Sequence, residues 1–80
     1  MEKAFEDVKA EMERAQAHLP PGFEALNTRN DFIAFINSYT GRAAEGVFRN
    51  EREEQDFREN MVKAAGIAMA AIVAFDRGTI

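Results

Sequence analysis

The sequence contains no cysteine and only one histidine among its 80 residues. Without cysteine the chain can form no disulfide, no thiolate metal site and no cysteine nucleophile. A single histidine also cannot build a histidine-rich zinc site. The glycines do not fall between a predicted strand and a helix, so no phosphate-binding loop is expected. We therefore predict no catalytic residues and no bound metal for this chain.

The sequence also has little that would direct it to a membrane or to nucleic acid. Its longest apolar run, residues 64–75, is shorter than the roughly 20 residues that a bilayer span needs. Ten basic residues stand against fourteen acidic ones, giving a net charge of −4 without a basic footprint. We expect a cytoplasmic protein that binds neither membranes nor nucleic acid. An acidic surface instead suits contact with a basic face of another protein.

Helical periodicity in three segments predicts an all-α fold for one domain spanning residues 1–80. The first segment is rich in alanine, glutamate, lysine and methionine, which favour helix, and the apolar residues of all three segments recur at spacings of three and four. Pro20 and Pro21 end the first segment, because proline cannot continue a helix. The predicted helices cover about residues 2–17, 31–49 and 53–77.

Several residues mark the ends or the weak points of these helices. Thr28 or Asn30 can accept hydrogen bonds from the free amides at the start of the second helix. Gly78 is placed to end the third helix. Gly41 and Gly46 lie inside the second helix, where each costs about 1 kcal/mol relative to alanine. They predict a local weakness, a kink, or the close approach of another backbone.

The third predicted helix is apolar on every side from residue 64 onward, which is typical of a helix that is covered on several sides. A chain of this length buries only roughly 60–65% of the surface that its unfolded form exposes. Packing inside one three-helix bundle is one explanation. We favour a second, in which homo-oligomerisation completes the bundle through a row of small residues and its neighbours, namely Gly66, Ala68, Ala70, Ile72 and Ala74.

The segment 49–59 is almost entirely charged and is the best candidate for contact with a ligand or partner. Glu51 and Glu54 have the spacing of helical metal ligands, but arginines surround them, which is more typical of a solvated, ion-paired face. We predict no metal there. The candidate contact residues in this segment and on the preceding helix are Arg42, Glu45, Arg49, Arg52, Arg58 and Glu59.

Three segments resemble the MazG-like all-α nucleotide pyrophosphohydrolases: Tyr39–Glu45, Arg58–Ala65 and Ala70–Arg77. The likeness covers about residues 30–77 and rests on helical texture. It implies a helical dimer or tetramer that binds nucleotides and Mg²⁺ through a glutamate-rich helix and a helix carrying a Glu…Asp motif.

The chain departs from that family at the metal-binding acids. Glu45 is the only acid where the family has a pair, and Lys63 follows Glu59 by one turn where the family has aspartate. A lysine ammonium would repel Mg²⁺, so we expect the catalytic centre to be lost. A nucleotide pocket could remain, with Arg42, Arg49 and Arg58 for the phosphates. Tyr39 or Phe48 would then stack on the base.

Three functional hypotheses follow. The first is a non-catalytic binding or adaptor protein that acts through protein–protein contacts; by analogy, small acidic phage-encoded inhibitors of host systems are chains of this kind. The second is a nucleotide-binding protein that sequesters a nucleotide without hydrolysing it. The third is a Mg²⁺-dependent nucleotide pyrophosphohydrolase, against which Lys63 argues. We favour the first, with a protein or a nucleotide as partner and no cofactor.

Overall fold

The structure, a computed structural model, describes residues 1–18, 27–49 and 53–80, without the side chains of residues 18, 47–49 and 53–56. These residues form three helices and no strand, which confirms the all-α prediction. The helices are α1 (Glu2–His18), α2 (Arg29–Arg49) and α3 (Glu53–Asp76).

Helix α2 begins two residues earlier than predicted, because Thr28 and not Asn30 is its N-cap. The Thr28 hydroxyl accepts a hydrogen bond from the Asp31 backbone N–H at 3.2 Å. In return, the Thr28 backbone N–H donates to the Asp31 carboxylate at 2.8 Å. This reciprocal capping box satisfies two donors at the start of the helix and places a negative charge at the positive end of its dipole.

The end of α3 is closed by Gly78, as predicted. Gly78 has a φ of 77°, a left-handed conformation that favours glycine. Its N–H donates to the Phe75 carbonyl, and the Thr79 N–H donates to the Ala74 carbonyl, each at 3.0 Å. This pair of bonds is the Schellman motif, which satisfies two carbonyls that the helix leaves without a partner.

Helix α3 lies at the centre and contacts both other helices, whereas α1 and α2 hardly touch each other. The Arg29 guanidinium near the start of α2 lies 5.3 Å from the ring of Phe75 near the end of α3, so these two helices are antiparallel. Helix α1 runs parallel to α3, since Asp7 pairs with Arg58 and Met12 contacts Gly66 further along. Two sides of α3 are thus covered.

The buried core of the described residues is small. Its hydrophobic members are Phe32 and Ala43 of α2 and Ala64 and Ala74 of α3, and no large side chain in this part of the chain is fully buried. Three of the four are alanines, so little apolar area is removed from water. The chain accordingly measures 40 × 27 × 21 Å, with a radius of gyration of 13.4 Å, above the roughly 12 Å expected for a compact domain of this length.

The two glycines inside α2 serve no close contact with the part of the chain that the structure describes. A Cβ atom placed on Gly41 or Gly46 would meet no heavy atom within 4 Å. Helix α2 continues through both positions. Of the three readings left open by the sequence, a tolerated local weakness fits the single chain best. Gly66 of α3 differs, because its Cβ would lie 3.6 Å from the side chains of Glu11 and Met12 on α1.

Candidate functional site

A groove lined by charged residues lies between α1 and the first half of α3. The parallel packing of these two helices brings charged residues of both to the same edge. The groove has a volume of about 320 Å³. Its lining consists of Asp7, Ala10, Glu11, Arg14, Arg58, Glu59, Val62 and Lys63.

The three acids and three bases of this groove form ion pairs with one another. The Arg58 guanidinium donates to the Asp7 carboxylate at 2.7 Å and so joins α3 to α1. On α1, Arg14 donates to both oxygens of Glu11, at 2.5 and 3.0 Å. On α3, the Lys63 ammonium lies 3.8 Å from the Glu59 carboxylate. The groove is therefore close to neutral and its charges are mutually compensated.

The ion pairs of Asp7 and Glu11 favour the ionised forms of these two carboxylates. The hydrogen bond from Arg58, followed by the one from Lys3, holds the pKa of Asp7 below its ordinary value. The hydrogen bond from Arg14 likewise lowers the pKa of Glu11, and the same bond raises the pKa of Arg14. Stabilised charges of this kind are typical of structural ion pairs, because a general acid or base needs a pKa near the working pH.

A second cluster surrounds Tyr39 on α2. The Arg42 guanidinium lies 5.2 Å from the centre of the Tyr39 ring, and the Lys63 ammonium of α3 lies 5.7 Å from it. Both distances are within the range of cation–π attraction. Lys63 therefore connects the groove to Tyr39, and two cations flank one half-buried aromatic ring.

The structure brings only part of the predicted contact set together. Arg58 and Glu59 line the groove, whereas Arg42 and Glu45 lie on α2, with Arg42 against Tyr39. The side chains of Arg49 and Phe48 and the whole of Arg52 lie outside the described residues. A single surface that unites the six predicted residues is thus not described.

The described acids do not gather into a metal site. Among the side chains that the structure describes, no three aspartate or glutamate residues lie close enough to share an ion. At the position where the resemblance would require a second acid, Lys63 instead forms an ion pair with Glu59. Mg²⁺ prefers several oxygen ligands, so Glu59 beside an ammonium is a poor ligand.

The predicted oligomer interface is divided between the inside and the outside of the chain. Gly66 lies beneath α1, and Ala74 is buried within the chain. Ala68 and Ala70 are half-buried, and Ile72 is 55% exposed. Small residues occur on every side of α3, so their spacing alone did not distinguish the sides covered by α1 and α2 from the side left open.

Large apolar side chains are exposed on all three helices. In addition to Met1, they are Phe5 (66% exposed), Ile33 (54%), Phe35 (40%), Phe57 (49%), Met69 (44%), Ile72 (55%) and Phe75 (57%). Single exposed residues of this type are normal, but so many around so small a core are typical of an interaction surface.

Sequence reasoning missed Asp7, Glu11 and Arg14 as members of the groove. Their spacing on α1 gave a partial signal, since Glu11 and Arg14 are three residues apart and pair on one helical face. Nothing in the sequence indicated that α1 would lie parallel to α3 and place Asp7 beside Arg58. That pairing depends on the rotation of α1 about its own axis.

Comparison of the chain with protein-family models, with curated proteins and with solved structures finds no match. The MazG-like resemblance therefore stays a prediction based on the quoted segments. Among the described helices, none has the length and apolar character needed to cross a bilayer.

Proposed function

We propose that the protein is a non-catalytic binding protein that acts through protein–protein contacts. The observation that carries this proposal is the imbalance, among the described side chains, between a buried apolar core of four residues and the large apolar side chains exposed on every helix. Covering such side chains contributes about 25 cal/mol per Å² of apolar surface, so a partner chain would gain affinity from them. The groove offers less, because its charges already neutralise one another.

The charge of the chain restricts the partner. A net charge of −4 favours a partner whose contact face is basic around an apolar centre, since complementary potentials accelerate association. A small acidic inhibitor of a larger protein fits this description, in keeping with the analogy to phage-encoded inhibitors. The proposed partner is thus a protein with a basic rim and an apolar centre.

The proposal is tested by capture followed by binding measurements with purified partner. Phe5→Glu, Ile33→Glu and Ile72→Glu each place a charge on an exposed apolar position of a different helix. Ala4→Glu and Ala34→Glu are matched controls at exposed neighbouring positions. We expect at least one of the first three to weaken binding by more than tenfold, while both controls bind normally. Equal binding by all five variants would show that the exposed apolar residues are not the contact surface.

A second candidate function is nucleotide binding without hydrolysis. The observation that favours it is the position of Arg42 and Lys63 against Tyr39, which combines an aromatic ring for a base with cations for phosphate. Both cations lie against the ring, and Lys63 also pairs with Glu59, so a nucleotide would have to displace existing contacts. This candidate is therefore second to protein binding.

Thermal unfolding with a panel of nucleotides, with and without Mg²⁺, separates the two candidates. A ligand at one hundred times its dissociation constant adds about 2.7 kcal/mol of stability. For a domain of this size, each kcal/mol raises the Tm by about 4–8 °C. The protein-binding proposal predicts no shift. A Mg²⁺-independent shift that disappears in Arg42→Ala would support the nucleotide candidate, and a Mg²⁺-dependent shift would support a pyrophosphohydrolase.

A further inference from the structure

Outside its main contacts with α1 and α2, helix α3 carries an apolar strip with the spacing of a coiled coil, and only the last residue of the strip, Phe75, also lies near the Arg29 guanidinium of α2. Met61, Ala65, Ala68, Ile72 and Phe75 follow one another at intervals of four, three, four and three residues, and we call them the α3 seam. At 3.6 residues per turn they fall within an arc of about 80°. All five are half-buried or exposed. A seam of this kind packs against another helix with the same spacing.

The accessible surface of the chain indicates how much of it a partner would need to cover. That surface is 6121 Å². A folded monomer of 9.0 kDa is expected to expose roughly 4,900 Å². The surplus exceeds the roughly 800 Å² that each partner buries in a stable interface of standard size. A second copy docked along α3 would therefore bring the chain close to the surface of an ordinary folded domain.

The charges beside the seam specify its orientation. Arg58 and Asp76 are 18 residues apart, which is five helical turns, so they lie in line on the same edge of the seam about 27 Å from each other. When two such helices pair antiparallel about a two-fold axis, Arg58 of each copy lies beside Asp76 of the other. In a parallel pair these charges stay apart. The antiparallel arrangement also aligns the helix dipoles favourably.

From the seam, the surplus surface and these charges, we infer that the protein forms an antiparallel homodimer in which the α3 seams of two copies pack together. The inference rests on the proposed protein-binding function because it uses the same exposed apolar side chains, but its partner is a second copy of this acidic chain and not the basic protein proposed above. In the register that aligns the seams, Ala65 faces Ala68 of the second copy at the centre. Met61 then faces Ile72 of the second copy on either side.

This register explains the distribution of side-chain sizes along the seam. Alanine at the two central positions lets the helix axes approach closely, near the lower end of the usual 8–10 Å range. Larger side chains fill the space towards both ends, where Met61 and Ile72 meet. The interface is isologous, so every contact occurs twice. The Arg58 guanidinium has five N–H donors and can serve Asp76 of the second copy while retaining Asp7.

The arrangement is tested by disulfide cross-linking, for which the cysteine-free chain provides a clean background. Met61→Cys and Ile72→Cys are made as separate variants of different mass, oxidised alone and after mixing. The inference predicts a cross-link only in the mixture, joining one chain of each kind. Identical positions would lie about 16 Å apart along the axis, beyond the reach of a disulfide. Cross-links within each variant alone would overturn the antiparallel register. Absence of any cross-link would overturn the seam.

Mass in solution provides the matching measurement on the unmodified chain. We expect a dimer of twice the 9.0 kDa chain mass by light scattering. Ile72→Glu should raise the dimer dissociation constant by at least about 100-fold, because it would bury an unpaired charge. The side chain of Ile72 is exposed in the single chain, so helix content should be retained. Ala34→Glu, on the exposed part of α2, should remain dimeric.

The outcomes also separate this inference from the proposed function. A wild-type chain that stays monomeric at high concentration would overturn the homodimer. If one of the glutamate variants also failed to bind a protein that the wild type captures, that result would support protein binding. A dimer that is cross-linked as predicted but captures no other protein would support the seam alone.

Discussion

Arg58 of α3 donates a hydrogen bond to Asp7 of α1 across 2.7 Å, and the two residues are 51 positions apart in the sequence. Asp7 also accepts a hydrogen bond from Lys3, one turn earlier on its own helix, at 3.1 Å. Asp7 therefore lies between a cation of its own helix and a cation of the central helix. The bond from Arg58 is a direct hydrogen bond between α3 and α1.

The position of Asp7 predicts an acid-sensitive contribution to stability. Its pKa in the folded state lies below its ordinary value, so the folded chain binds the proton less tightly than the unfolded chain. The stabilisation is complete well above about pH 4 and is lost as the pH falls through the folded-state pKa. We expect Asp7→Asn to have a lower Tm than the wild type at pH 7, and we expect this Tm difference to shrink as the pH falls below about 4.

Thermal unfolding from pH 7 to pH 3 measures that difference. Glu13→Gln is the control, because Glu13 is an exposed acid on α1 outside these pairs and the substitution removes the same charge. A Tm difference between wild type and Asp7→Asn that stays constant with pH would show that the bond to Arg58 contributes nothing through its charge.

The packing of α1 over Gly66 predicts opposite effects for two substitutions at one position. A Cβ atom on Gly66 would meet Glu11 and Met12 at 3.6 Å, which is ordinary van der Waals contact. We therefore expect Gly66→Ala to raise the free energy of unfolding by up to about 1 kcal/mol through helix propensity. A leucine has no room beneath α1, so Gly66→Leu should lower it by about 1–3 kcal/mol.

Urea denaturation of both variants tests this packing. Gly41→Ala is the matched control, since its Cβ meets nothing within 4 Å and only helix propensity should act. If Gly66→Leu proved as stable as Gly66→Ala, α1 would not lie over this part of α3.

The capping box of α2 predicts a position-specific effect of removing a threonine hydroxyl. Thr28→Ala removes the acceptor for the Asp31 N–H and should cost about 1 kcal/mol. Thr40→Ala is the control, because the Thr40 hydroxyl only bonds back to the Ile36 and Asn37 carbonyls and should be close to neutral. Chemical denaturation that gave equal losses for both would contradict the assignment of Thr28 as the cap.

Much of the fold could be predicted from the sequence because local rules determine it. The three helices and the Gly78 terminus follow from periodicity, proline placement and the left-handed preference of glycine. The sequence offered two caps for α2, Thr28 and Asn30. The reciprocal hydrogen bond between Thr28 and Asp31 shows that Thr28 is the cap.

The candidate site was less predictable because it depends on how whole helices turn towards one another. The sequence indicated Arg58 and Glu59 but not Asp7, which joins them only when α1 lies parallel to α3. Similarly, Gly66 and Ile72 both belong to an apolar helix, yet one is covered by α1 and the other is open. The spacing of side chains determines which face of its helix a residue lies on. Which element packs against that face is determined by tertiary packing.

Helices α1 and α2 both pack against α3 and hardly contact each other. The two pairs of packed helices therefore differ in how far apart their members lie in the sequence. The α2–α3 hairpin joins neighbouring segments, whereas α1 must find a helix whose first residue lies 51 positions after its own. Closing the longer loop costs more entropy, so we expect the α2–α3 hairpin to form first and α1 to dock on it last.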